Sequence, residues 1–192
     1  MFKRESHKDE TAASSPVIEV LQRLWQTKLN SIALLEKWRS ETRDTEIHAG
    51  LTNQIVDERR HAAMIGEQIR RLGGRIASAP RDAATRVFSE ADTTGEDVHR
   101  LFALYRGVKA YTVDRCYHLM PHVDATLAGV LGKLTLDEER HIRWADTRIE
   151  RLLTYANMRE CNLLIGRVRA SLETAWERQW RQLSQMMRRP SA

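Results

Sequence analysis

Apolar residues in this chain recur every three to four positions through five long segments, the spacing that gathers side chains on one face of an α-helix. The first segment, 16–41, carries Ile18, Leu21, Trp25, Ile32 and Leu35, with Ser15 placed to cap it and Pro16 at its first helical position. A polar link at Arg43, Asp44 and Thr45 leads to the second, most regular stripe: Leu51, Ile55, Glu58, Ala62, Ile65, Ile69 and Leu72. Gly73-Gly74 terminates it. The third stripe is Val98, Leu101, Tyr105, Val108, Thr112 and Leu119, with Thr93 or Thr94 as its cap and Pro121 as its stop. Asp124 opens the fourth: Leu127, Leu131, Leu134, Glu138, His141, Ala145, Ile149 and Leu152. The fifth, 157–187, carries Cys161, Ile165, Val168, Leu172, Trp176 and Leu183.

Two helical hairpins with short turns, joined by one long connection over 75–94, predict an all-α four-helix bundle with a crossover. Twenty extended residues reach about 66 Å, against about 39 Å for a 26-residue helix, so the connection can run the bundle's full length. The expected organisation is a polar tail at 1–15, a bundle at 16–155 and an appended basic amphipathic helix at 156–189. Only 9 Gly and 4 Pro in 192 residues argue against a many-turned β fold. No run approaches 18 apolar residues, so no membrane span is expected. Cys116 and Cys161 form neither a disulfide framework nor a zinc pattern, and the N-terminus lacks a secretory signal, so a cytoplasmic protein is expected.

Two residues break the apolar pattern. Glu58 and Glu138 sit at the centres of the second and fourth stripes, where a carboxylate must be paired, protonated or metal-bound. Each is followed three positions later by a histidine, His61 and His141, on the same helix face. The match extends to Asp57-Glu58-x-Arg60-His61 and Asp137-Glu138-x-Arg140-His141, 80 residues apart, and Leu51, Ile69 and Leu72 align with Leu131, Ile149 and Leu152 at the same offset. At about 5% per position, four fixed residues recur by chance roughly once in 10⁵ windows, so the repeat reads as a duplicated hairpin.

Asp-Glu-x-Arg-His on the second and fourth helices resembles the ferritin-like superfamily of di-iron carboxylate proteins, over about 16–155. The resemblance implies Glu58, His61, Glu138 and His141 as metal ligands, with Asp57 holding His141 and Asp137 holding His61. It implies iron, one or two ions, with manganese or zinc as alternatives, and Arg60 and Arg140 at the bundle edge. The family pattern also asks for one carboxylate from each of the first and third helices. The corresponding windows, 23–28 and 103–108, contain neither Asp nor Glu. Gln26 and Tyr105 are the inward polar groups expected there, and Lys28, on the inward side of the first helix, would repel a metal.

Two carboxylates leave a di-iron pair short of charge and ligands. Three functions are therefore expected in order: a metal-binding protein of the non-haem iron oxidase or oxygenase kind with an atypical ligand set; a metal-free ferritin-like interaction module; and an RNA-modifying hydroxylase. The spacings of His118 and His122, and of His48 and His99, suggest no second metal site. Residues 159–192 carry seven Arg against three Glu, +4 of the net +5, so any nucleic-acid contact belongs to the last helix, where Trp176 and Trp180 share a side. That helix packs on the bundle or on a second copy, and a homodimer is expected.

Overall fold

The computed structural model describes residues 15–76, 88–89, 92 and 96–187. The expected tail (apart from Ser15), most of the crossover and the Thr93 or Thr94 cap lie outside them. The described residues are helical and contain no strand. In chain order they form α1 (Pro16–Glu41), α2 (Thr45–Arg71), α3 (Asp97–Leu101), a π-helix (Phe102–Lys109), α4 (Ala110–Leu119), a 3₁₀ turn (Met120–His122), α5 (Ala125–Leu152) and α6 (Tyr155–Met187). The segment from α3 through α4 is one continuous rod, so the described residues form five long helices. None among the described residues is long and apolar enough to cross a membrane.

The helix ends follow local chemistry. Pro16 stands in the first turn of α1, but Ser15, at the cap position, makes no side-chain bond there. Asp44 caps α2 by accepting from the backbone N–H groups of Glu46 and Ile47, and Asp124 caps α5 through Leu127. Gly73, at φ +82°, closes α2: its N–H reaches Arg70 O, and Gly74 N–H reaches Ile69 O. That pair of bonds is the Schellman stop, and it needs a residue in the left-handed region. The third rod starts later than the expected threonine caps, with Glu96 at its cap position.

Helices α1 and α2 pack along their length, α4 packs on α5, α2 meets α5, and α6 lies against the π-helix and α1. The core draws Leu21, Leu35 and Trp38 from α1, Ile47, Leu51 and Ile65 from α2, Leu131 and Leu134 from α5, and Val168 and Trp176 from α6. The α1 stripe differs from the expected one. Trp25 and Ile32 are only half-buried, and the inward face at mid-helix is Leu24, Thr27, Lys28 and Ser31. Three polar residues occupy the inner stripe, so apolar spacing alone slid to its flank. In α6, Leu164 rather than Ile165 is buried, a one-residue rotation of the same face.

Candidate functional site

Glu58 on α2 and Glu138 on α5 face each other in the core with no exposed surface. Two ammonium groups stand between them. Lys28, from α1, pairs with Glu138 Oε1 and with Glu58 Oε2 at 3.1 Å. Lys109, from the last π-helical residue, pairs with Glu58 Oε1 and with Glu138 Oε2 at 2.6 Å. Each carboxylate thus gives one oxygen to each ammonium, and the four side chains close a ring of alternating charge. Both lysines are 2% exposed, so water does not share the load.

The histidines form the next layer outward. His141 Nε2 lies 2.9 Å from Asp57 Oδ2, and His61 Nε2 lies 3.1 Å from Asp137 Oδ2. An Nε2–H donated to each aspartate leaves Nδ1 as an acceptor. For His141 that nitrogen faces Lys109 Nζ at 3.5 Å, which gives the Lys109 ammonium three partners for its three N–H groups. Arg60 and Arg140 finish the stack at the surface. Arg60 donates to Asp57 and Asp137 at 2.7 Å each, and Arg140 lies 3.0 Å from Asp57 and 2.8 Å from Asp137. Two Lys, two Glu, two Asp and two Arg sum to zero formal charge, with the two histidines set between the inner and outer charges.

The electrostatics follow from this closure. Burial alone would raise the Glu138 carboxyl, but the Lys109 and Lys28 ammoniums hold it well below its ordinary value. Burial alone would likewise lower Lys109 and Lys28, yet Glu138 and Glu58 raise both. Asp57 is lowered by His141, Arg60 and Arg140 against partial burial, and Asp137 by His61 and Arg140. The Cys116 thiol, buried close enough to feel Lys28 and Glu138, is pushed up to about 12 by burial.

Tyr105 is fully buried in the π-helix, its ring 5.7 Å from Lys109 Nζ and its hydroxyl donating to Gln54 Oε1 at 2.6 Å. Burial and the two glutamates hold its phenol well above the usual range. Gln26 is buried but donates to Asn30 at 3.0 Å, and it lines a cavity shared with α6.

Lys109 is the site residue that sequence reasoning missed. It follows Lys28 by 81 residues, whereas Glu138 follows Glu58 by 80. It also lies one residue past the stretch 103–108, where the family pattern asks for a carboxylate. The π-helix, with its wider i→i+5 turns, accommodates one extra residue and brings Lys109 inward. Gly107 lets α6 approach this stretch: a Cβ there would meet Val168 Cγ1 at 2.7 Å.

Glu58, Glu138 and His141 can bring one ligand atom each within 4.8 Å of one another, the spacing of a metal cluster. The side chains around them do not fit a metal pair. Two ammoniums already neutralise both carboxylates and take an oxygen from each. A ferrous pair would add four positive charges beside two buried lysines, while the next carboxylates out, Asp57 and Asp137, are already paired with histidine and arginine. Tested against known proteins, the chain matches no family model, no curated sequence and no solved structure.

Proposed function

We propose that the chain is a metal-free ferritin-like protein: a four-helix bundle with a fifth helix, acting as an interaction module rather than as a non-haem iron oxidoreductase. One observation carries this reading. The Lys28 and Lys109 ammoniums each bridge Glu58 and Glu138, so the positions that the family resemblance reserves for metal are filled by cations tethered to the chain. Of the expected functions, the second is therefore favoured over the first.

In this reading the polar layer sets helix register. An ammonium on α1 and another on the π-helix must each find two carboxylates on α2 and α5, and sliding any helix by one turn would strand a buried charge. Five surface cavities, of about 210 to 700 Å³, are lined by residues outside the charged layer. The largest lies at the exposed start of α6, beside Tyr155, Met158 and Leu163. Such a surface suits contact with another protein better than chemistry in the bundle interior.

Elemental analysis tests the proposal. Full-length protein, produced in medium supplied with iron, manganese and zinc, is compared with the Glu58→Ala/Glu138→Ala variant. Equal, trace metal in both is expected. Wild-type protein holding about one equivalent or more, lost in the variant, overturns the metal-free reading.

A further inference from the structure

Helix α6 buries one face and leaves the other open. Tyr155, Leu163, Gly166 and Ala170 recur at steps of three and four on the outward side, opposite the buried Cys161, Leu164, Val168 and Leu172. Tyr155 is 93% and Leu163 56% exposed, and Met158 beside them is 42%. Three of the six large apolar side chains exposed among the described residues thus lie in the first nine positions of one helix. Gly166 stands mid-helix, with nothing within 4 Å of where a Cβ would sit. Unlike Gly107 it answers no crowding inside the chain, although glycine weakens a helix interior.

Charge on this face is ordered along the helix. Arg159 stands near its start and Glu173 and Glu177 near its end, with Arg181 one turn further on, 3.4 Å from Glu177. Arg167, Arg169 and Arg178 fall on the flanks, so the outward stripe is balanced although the helix is basic. A parallel copy laid on this stripe would bring Arg159 onto Arg159 and the glutamates onto each other. An antiparallel copy, turned about the midpoint of Gly166 and Ala170, does the reverse. Arg159 then opposes the partner's Glu177, and by the same two-fold Glu177 opposes the partner's Arg159. Gly166 meets the partner's Ala170, the smallest side chains at the crossing, where interaxial distance depends on side-chain size. Tyr155 comes level with the partner's Arg181, a guanidinium for its ring.

We propose that the outward face of α6 pairs with the same face of a second copy of this chain, antiparallel and two-fold, crossing at Gly166 and Ala170. From Tyr155 to Arg181 the helix runs about 39 Å, and a strip about 10 Å wide covers roughly 400 Å² on each copy. The total of about 800 Å² falls below the range of about 1,200–2,000 Å² of stable complexes, so the dimer is a weak one, with a Kd of about 10–100 µM. The dimer supplies a partner for the interaction module and rests on that reading for its purpose. Metal content decides the module, and mass in solution decides the dimer, so either can fail without the other.

Sedimentation equilibrium of the full chain, from about 5 to 500 µM, tests it. The mass is expected to rise with concentration from the 22.2 kDa of one chain toward twice that value. Gly166→Leu and Arg159→Glu each raise the Kd at least about tenfold, with helicity and melting unchanged because both positions are exposed. The exchange Arg159→Glu/Glu177→Arg swaps the charges across the two-fold and restores the Kd to within about threefold of wild type. Glu177→Arg alone repeats the loss should Arg159→Glu alter the fold. A monomer at every concentration, a dimer indifferent to either Gly166→Leu or Arg159→Glu, or an exchange that fails to restore association overturns the proposal.

Discussion

Histidine meets carboxylates in two regions of this molecule, with opposite results. In the central layer His61 and His141 each give Nε2 to an aspartate and turn Nδ1 toward Glu138, at 3.5 and 3.6 Å, and the charges around them cancel within the chain. At the head of the third rod, buried His99 has a carboxylate at both nitrogens: Glu96 Oε2 at 3.3 Å from Nδ1 and Glu160 Oε2 at 3.5 Å from Nε2. Neither nitrogen makes a hydrogen bond, and a neutral imidazole, with one donor, can serve only one of the two acids. Glu96 and Glu160 are 66% and 73% exposed and turn to water instead. The difference lies in the cations. Asp57 and Asp137, which hold the central histidines, are each paired with Arg60 and Arg140, whereas the two glutamates at His99 stand exposed.

The comparison breaks most visibly if the central cations are converted to acids. Lys28→Glu/Lys109→Glu would set four carboxylates and two histidines around one space, the donor set that di-iron carboxylate bundles use. Cobalt titration followed by visible absorption is expected to show up to about two bound ions, against none in wild type, with circular dichroism as the check on folding. A folded double variant that takes no cobalt means that the lysines do not stand at the metal positions.

Removing one cation comes next. Lys109→Met leaves two carboxylates sharing one ammonium in a dry core and should cost about 3–5 kcal/mol in urea unfolding. Replacing all four charges together, Lys28→Met and Lys109→Met with Glu58→Leu and Glu138→Leu, should be neutral to about 4 kcal/mol stabilising, because the burial penalty goes with them. A quadruple variant weaker than the single one would mean that the layer contributes net stability.

Smaller effects separate the two histidine environments. His141→Leu leaves Asp57 to its two arginines, deprives one Lys109 donor of its partner, and should cost about 1–3 kcal/mol. His99→Leu releases two exposed glutamates and should cost less than about 1 kcal/mol. Equal losses would erase the distinction drawn between the regions.

Acid titration gives the mildest signature. Glu138, Asp57 and Asp137 have folded-state values below their unfolded ones. Their contribution is full above about pH 4.5 and is lost as pH falls through the lowered folded values. Thermal melts from pH 6 down to 3 should show this decline, and the Asp57→Asn/Asp137→Asn variant should show a shallower one.

How much of this was legible beforehand depended on what repeats. The span of α1, 16–41, matched the structure because Pro16 marks its start and apolar spacing carries it onward. Glu58, His61, Glu138 and His141 stood out because a charged pair recurs on two apolar stripes at a fixed offset. Their partners Asp57 and Asp137 lay within the same repeat. Lys28 was legible as inward, though only as a deterrent to metal. Lys109 was not, since it falls one residue out of the repeat and its inward turn depends on a π-helix that no local residue type announces. The His99 contact with Glu160 joins residues 61 apart with no periodic relation, so only the packing of α6 on α3 brings it about.

Cys116 has a consequence for anyone wishing to watch the layer move. Its thiol is buried beside the charged ring and held at about 12, so almost none is thiolate at neutral pH and a disulfide reagent cannot attack while the helices stay closed. In a Cys161→Ser background, the rate at which Cys116 colours such a reagent becomes a clock for opening of the interior. Its ticking reports how often α1, α4 and α5 part far enough to admit a small molecule.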